Sequence, residues 1–194
     1  MTSLRSLTTV ATLAAGLALA TTARAAPEAG APDFALPVDK PAPTFMLRAP
    51  DGAVVRLDEL AYPGPERRRG KKQPVLLDFF RTDCGPCRQA MPDLVSIYQE
   101  LRARGLEVVL VALLEPEQGR EKLTRYLEEN KLPFPIVVDD TDHVAKKYLG
   151  KTVKLPATFL IDRDGVLRRA RYGAKGTLKE HFSEALERAL VKKS

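Results

Sequence analysis

The stretch at residues 75–92 constrains this chain more than any other. It reads VLLDFF, then RTD, then CGPC, then RQAMP. Six residues of apolar, strand-like sequence run into a short turn that holds the only two cysteines of the chain, and the pattern beyond it turns helical. A Cys-x-x-Cys pair where a strand hands over to a helix is a redox signature. With Cys84 at the helix N-terminus, unsatisfied backbone N–H groups and the positive end of the helix dipole favour its thiolate. Cys87, three residues on, faces the same side, with Cβ atoms roughly 5–6 Å apart in an ideal helix, so a small adjustment closes a disulfide.

These residues resemble the active-site segment of the thioredoxin superfamily, whose eponymous member carries CGPC. Asp78, six residues before Cys84, matches the family's buried carboxylate, and Pro92, eight after it, matches the proline that kinks the active-site helix. Two departures stand out. The family usually has Phe-Trp at the strand's end and Trp before the first cysteine, whereas this chain has Phe79-Phe80 and Asp83 and no tryptophan. An acidic neighbour disfavours a second negative charge, so Asp83 should push the Cys84 thiol upward, against the helix terminus.

The length of 194 residues and a hydrophobic content of 44% suit one well-buried domain. Residues 1–25 differ in kind: Arg5 in a short polar start, an apolar run over 7–22, and Ala23-Arg24-Ala25 as an Ala-x-Ala site. They predict a secretory signal peptide cleaved after Ala25, with an uncleaved N-terminal anchor as the alternative. Of the net charge of +6, this leader's two arginines account for two, and +4 is no argument for nucleic acid. The densest basic run, at 67–72, reads as a solvated loop. An exported chain lives where disulfides persist, yet a lone Cys-x-x-Cys closes too small a ring to staple a fold.

In order, residues 26–43 are rich in Pro and Ala without apolar period and predict a flexible lead-in to a domain at 44–194. Strands at 44–47 and 54–57 flank Ala49-Pro50-Asp51-Gly52, the composition of a hairpin turn. Residues 73–80 form a strand buried on both faces, 86–104 a helix that Gly105 ends, and 106–114 a second buried strand, hence a parallel pair with a right-handed crossover. A helix at 117–130, a strand at 136–138 and a helix at 141–149 follow. Asp162-Arg163-Asp164-Gly165 is a tight turn before an edge strand at 166–172, and Thr177 with Glu180 makes a capping box for a last helix.

The Ala-Pro-x-Phe-x-Leu start, the Asp-Gly turn and the central helix-strand insertion resemble the exported TlpA and ResA type of thioredoxin-like protein, and the related peroxiredoxins. The resemblance implies an α/β thioredoxin fold: a central mixed sheet with helices on both faces, an N-terminal β-hairpin and the insertion. In that type a glutamate follows the second core strand near the disulfide; Glu115 falls there, and an ordinary loop acid is the alternative. Leu155-Pro156-Ala157-Thr158-Phe159 resembles the family's cis-proline turn, although only about one X-Pro bond in twenty is cis.

The implied chemistry is thiol-disulfide exchange without cofactor beyond the Cys84–Cys87 disulfide. Cys84 attacks, Cys87 resolves, and Asp78, with a pKa raised in a dry core, accepts the Cys87 proton; a purely structural acid is the alternative. Gly85 and Pro86 set the first turn and, with Leu155, are the expected substrate-binding residues, Leu155 giving the docking surface an apolar edge. The expected partners are protein disulfides and a membrane electron donor for a monomer in the periplasm, cytochrome c maturation being one setting. A copper-delivery redoxin would need His143 or His181 beside the cysteines, and a peroxiredoxin would need Thr-x-x-Cys, which Thr82-Asp83-Cys84 lacks.

Overall fold

The computed structural model describes residues 36–61 and 72–191. The leader at 1–25, the lead-in up to residue 35 and the basic run at 67–71 lie outside the described residues. Strands β1 (Met46–Arg48) and β2 (Val54–Arg56) form the expected hairpin, paired Leu47 to Val55. A short helix α1 (Leu57–Ala61) follows where the second strand was expected to reach Leu57. Leu57 and Ala61 are fully buried, so this turn of chain closes over the core instead of extending the hairpin. Then come β3 (Val75–Phe80), α2 (Gly85–Leu101) with a 3₁₀ turn over Arg102–Arg104, β4 (Glu107–Leu113), α3 (Gly119–Asn130), β5 (Ile136–Asp139), α4 (His143–Leu149), β6 (Ala157–Ile161), β7 (Leu167–Tyr172) and α5 (Leu178–Leu190).

The sheet order is β2-β1-β5-β4-β3-β6-β7. Strands β3, β4 and β5 are parallel, and β6, β7, β1 and β2 complete a mixed sheet by antiparallel pairing. Two successive crossovers, through α2 and α3, step in the same direction; their right-handedness puts both helices on one face. There α2, α3 and α5 pack on Leu76, Phe80, Leu110 and Leu160. The opposite face takes α1 and α4, with Phe79, Tyr148 and Phe159 in mutual ring contact. Each fully buried side chain of this size stabilises by about 1.5–3 kcal/mol. Central β3 is buried at every position, which is why its pattern does not alternate.

The flexible lead-in expected over 26–43 does not extend to its last residues. Asp39 N–H donates to Leu167 O at 2.8 Å, Leu167 N–H to Lys40 O at 2.9 Å and Ala42 N–H to Gly165 O at 2.9 Å. Pro41 bridges Val166, and Ala42 is buried. The chain here satisfies main-chain groups at the start of an edge strand, which a composition without period does not reveal.

Candidate active site

Cys84 is the N-cap of α2, with φ −81° and ψ 100°, and its Sγ accepts a hydrogen bond from the Cys87 N–H at 3.2 Å. The two sulfurs are bonded to each other, with Cα atoms 5.3 Å apart. Cys87 is buried in the core under α2, α3 and α5 while Cys84 is partly exposed. The first turn forms here because Gly85 and Pro86 follow the cap, and proline's missing N–H costs nothing where the helix has no acceptor for it. Pro92 lies inside the same helix.

Asp78 shares its face of β3 with Leu76 and Phe80, the face against which Cys87 packs. Its carboxylate accepts from Thr158 Oγ1 at 2.5 Å. Burial pushes the Asp78 carboxyl up from its ordinary 3.8 to about 7, against the lowering pull of the Thr158 hydrogen bond and the Arg171 charge. The carboxyl can therefore exchange a proton near neutral pH.

Glu115, just beyond β4, is buried and holds the loop before the disulfide. Its Oε1 accepts from Thr82 Oγ1 at 2.5 Å and from the Asp83 N–H at 3.1 Å. Its Oε2 is buried without a hydrogen-bond partner. Burial pushes this carboxyl upward, but those hydrogen bonds and the Lys122 charge outweigh it and hold Glu115 below the usual glutamate range. Asp83 is not left to act on Cys84 alone, because Arg81 Nε and Nη2 grip it at 3.0 and 3.2 Å. The guanidinium offsets the carboxylate that the sequence sets against a Cys84 thiolate.

The Leu155–Pro156 peptide bond is cis. Ala157 pairs with Phe79 across β6 and β3, so Pro156 stands at the sheet end from which Phe80 runs into the cysteine loop. Leu155 is half-buried and packs on both cores. The Pro156 carbonyl already accepts from the Gly173 N–H at 2.8 Å. Neither histidine sits among these groups: His181 Nε2 lies 3.1 Å from Ala170 O with its ring on Phe182, and His143 starts α4 beyond the opposite core, lining a cavity of about 500 Å³ with Met46, Arg56 and Asp139.

The structure thus brings together Cys84, Cys87, Asp78, Glu115, Gly85, Pro86, Leu155 and Pro156 at one end of the sheet. Sequence reasoning missed Thr158 and Arg171. Strands 75–80 and 157–161 each carry one polar residue in an otherwise apolar run, a signal that the two side chains meet.

The AhpC/TSA family model matches residues 38–170. The thiol-disulfide oxidoreductase ResA of Geobacillus thermodenitrificans is 34% identical over 150 residues, 76% of this chain and 78% of that protein. The sporulation thiol-disulfide oxidoreductase A of Bacillus subtilis is 29% identical over 103 residues, 53% of this chain and 61% of that protein. The crystal structure of a putative thiol:disulfide interchange protein DsbE from Chlorobium tepidum superposes with a TM-score of 0.66 at 28% identity, covering 81% of this chain and all of that one. A strand–Cys-x-x-Cys–helix passage opposite a cis-proline, on a chain related to these proteins over most of its length, means that it belongs to the AhpC/TSA family, among the ResA-like thiol-disulfide oxidoreductases.

Proposed function

We propose that this chain reduces disulfides of exported proteins outside the cytoplasm, drawing electrons from a membrane thiol donor, with apocytochrome c as one substrate class. The observation that carries the reading is the disulfide at the cap of α2, with its partly exposed sulfur outward and its buried sulfur on the face of Asp78. The leader-like residues 1–25 support export, and the Gly85-Pro86 dipeptide, shared with reducing thioredoxins, supports the direction.

In the reduced protein the Cys84 thiolate attacks a substrate disulfide. One substrate sulfur leaves as a thiolate, and a Cys84–substrate mixed disulfide forms. Cys87 gives its proton to the Asp78 carboxylate and attacks Cys84 Sγ; the internal disulfide forms and the second substrate sulfur departs. Two electrons have passed from the cysteine pair to the substrate. Glu115 fixes the loop that presents Cys84 through Thr82 and Asp83. Since the Pro156 carbonyl is engaged by Gly173, substrate docking falls to the main chain preceding Pro156, beside Leu155.

The test is the midpoint potential of the purified protein, read with trapping of mixed disulfides by Cys87→Ser in the cell envelope. A thioredoxin-like value of about −270 mV with trapped exported thiol proteins is expected; a value of about −120 mV overturns the reducing role.

A further inference from the structure

Asp78 pairs with Thr158 across β3 and β6, and Thr158 pairs with Arg171 across β6 and β7. Cross-strand partners share a face, so the three side chains form one lateral row directed at α2 and α5. The ends of the row are two strand spacings apart, roughly 10 Å at the backbone. Arg171 is 6% exposed, rare for a charged residue. Its Nη2 donates to Lys175 O at 3.1 Å and to Gly176 O at 2.7 Å. These neutral carbonyls fix the guanidinium without cancelling its charge, which Asp93, Asp78 and Glu180 share.

We propose that Arg171 is a positioning residue for the dithiol exchange: a buried guanidinium, on the sheet row that runs from Asp78 through Thr158, that keeps the Asp78 carboxyl able to ionise at neutral pH. The proposal rests on the reading of Asp78 as the Cys87 proton acceptor. Asp78 faces an apolar core, and burial alone drives a carboxylic acid towards the neutral form, in which it cannot take a proton. A hydroxyl partner and a cation at low dielectric both oppose that drive.

The other groups around the row are Cys87 on α2 and Tyr126 on α3, whose phenol burial pushes up, the Arg88 charge on α2 pulls down and the Asp78 charge raises to a lesser degree. Asp93 on α2, which accepts from the Leu178 N–H at 3.1 Å, and Glu180 on α5 act on the Arg171 charge together with Asp78. His181 on α5 lies against the Ala170 carbonyl. Among the described residues Arg171 is the buried cation, it stands on the Asp78 row, and its charge pulls the Asp78 carboxyl down.

The bland role for Arg171 is to staple residues 175–176 to β7. Titration of the Asp78 carboxyl by carbon NMR in the oxidised protein separates the two. Arg171→Gln keeps an amide donor for the carbonyls but no charge, and should raise the Asp78 midpoint by about one pH unit. Arg171→Lys keeps the charge and should raise it by less than half as much. An unchanged midpoint in Arg171→Gln, or an equal rise in both variants, overturns the proposal.

The unaltered protein supplies a second readout that needs no variant to fold. The Arg171 side-chain nitrogen resonances should move with the Asp78 midpoint and stay flat in Asp78→Asn; resonances that ignore that midpoint overturn the proposal. These titrations need no substrate. A chain inert towards disulfides would sink the proposed function alone, and an active chain without the coupling would sink the role of Arg171 alone.

Discussion

Asp78 ties stability to chemistry at one atom pair. Its carboxyl is raised to about 7 in the folded chain against an ordinary 3.8, so between these values the folded protein holds a proton that the unfolded chain has lost. The Asp78 contribution to stability then falls as pH rises through roughly 4 to 7 and levels off above, the reverse of the usual salt-bridged aspartate. Asp78→Asn cannot titrate, and its amide oxygen can still accept from Thr158 Oγ1. Oxidised Asp78→Asn should therefore exceed the parent at pH 8 by roughly 2–4 kcal/mol, with the share of the pH slope owed to Asp78 gone. The same variant should release substrate from the mixed disulfide more slowly, by on the order of 10²-fold, for want of a proton acceptor. Urea unfolding at pH 5 and pH 8 reads the first effect and single-turnover kinetics the second; equal pH slopes in parent and variant would sink the account. The cysteines and Asp78 were legible because their spacing along one segment is fixed. Thr158 and Arg171 were not, since their place on the Asp78 row depends on pairing β3 with a strand 80 residues further on and on the bulged register between β6 and β7.

The site is positioned by element ends, and one junction is tight enough to test. Helix α3 begins at Gly119, buried against the residue before Glu115. A Cβ at Gly119 would lie 2.9 Å from Leu114 Cβ and 3.3 Å from the Leu114 backbone. Backbone cannot swing aside as a side-chain tip can, so either α3 or the end of β4 must shift. Gly119→Ala should cost about 1–3 kcal/mol, seen as a lower urea midpoint at unchanged m-value. Because Leu114 adjoins Glu115, the shift should also loosen the Thr82 and Asp83 hydrogen bonds and speed alkylation of Cys84 or slow its exchange; a variant matching the parent in midpoint and thiol rate would refute the junction's role. Element order was legible from period and length: the buried runs at 75–80 and 107–113 and the capping box of Thr177 and Glu180 all stand where the sequence puts them. Helix α1 was not, because five residues carry too little of a 3.6-residue period to distinguish a turn of helix from the end of a strand.

At the scale of the whole molecule, the sheet divides the interior into two apolar cores with different tasks. The core under α2, α3 and α5 holds Cys87 and faces the Asp78 row, while the core under α1 and α4 is closed by aromatic contacts and by the segment before β1. That segment runs from Asp39 to Pro43. It makes three main-chain hydrogen bonds with residues 165–167, pairs Asp39 with Arg168 at 2.7 Å, and accepts the Tyr148 hydroxyl at Pro43 O at 2.7 Å. Its sequence hid this role, since Pro and Ala without periodicity look the same in a linker and in a strap whose partners are distant backbone groups. The exposed Asp39–Arg168 pair adds little, but each of four hydrogen bonds at the margin of a core contributes about 1 kcal/mol, and the buried Ala42 adds a further increment. A chain beginning at residue 44 should lose about 3–5 kcal/mol against one beginning at residue 36. The loss should fall on the core away from the disulfide, so the Cys84–Cys87 midpoint potential should stay within about 15 mV of the longer chain, half the step that a tenfold change in the exchange constant produces. Thermal unfolding and redox titration of the two chains decide it: equal stability at 36 and 44 would remove the strap from the fold, and a large potential change at 44 would mean that the two cores are not separable.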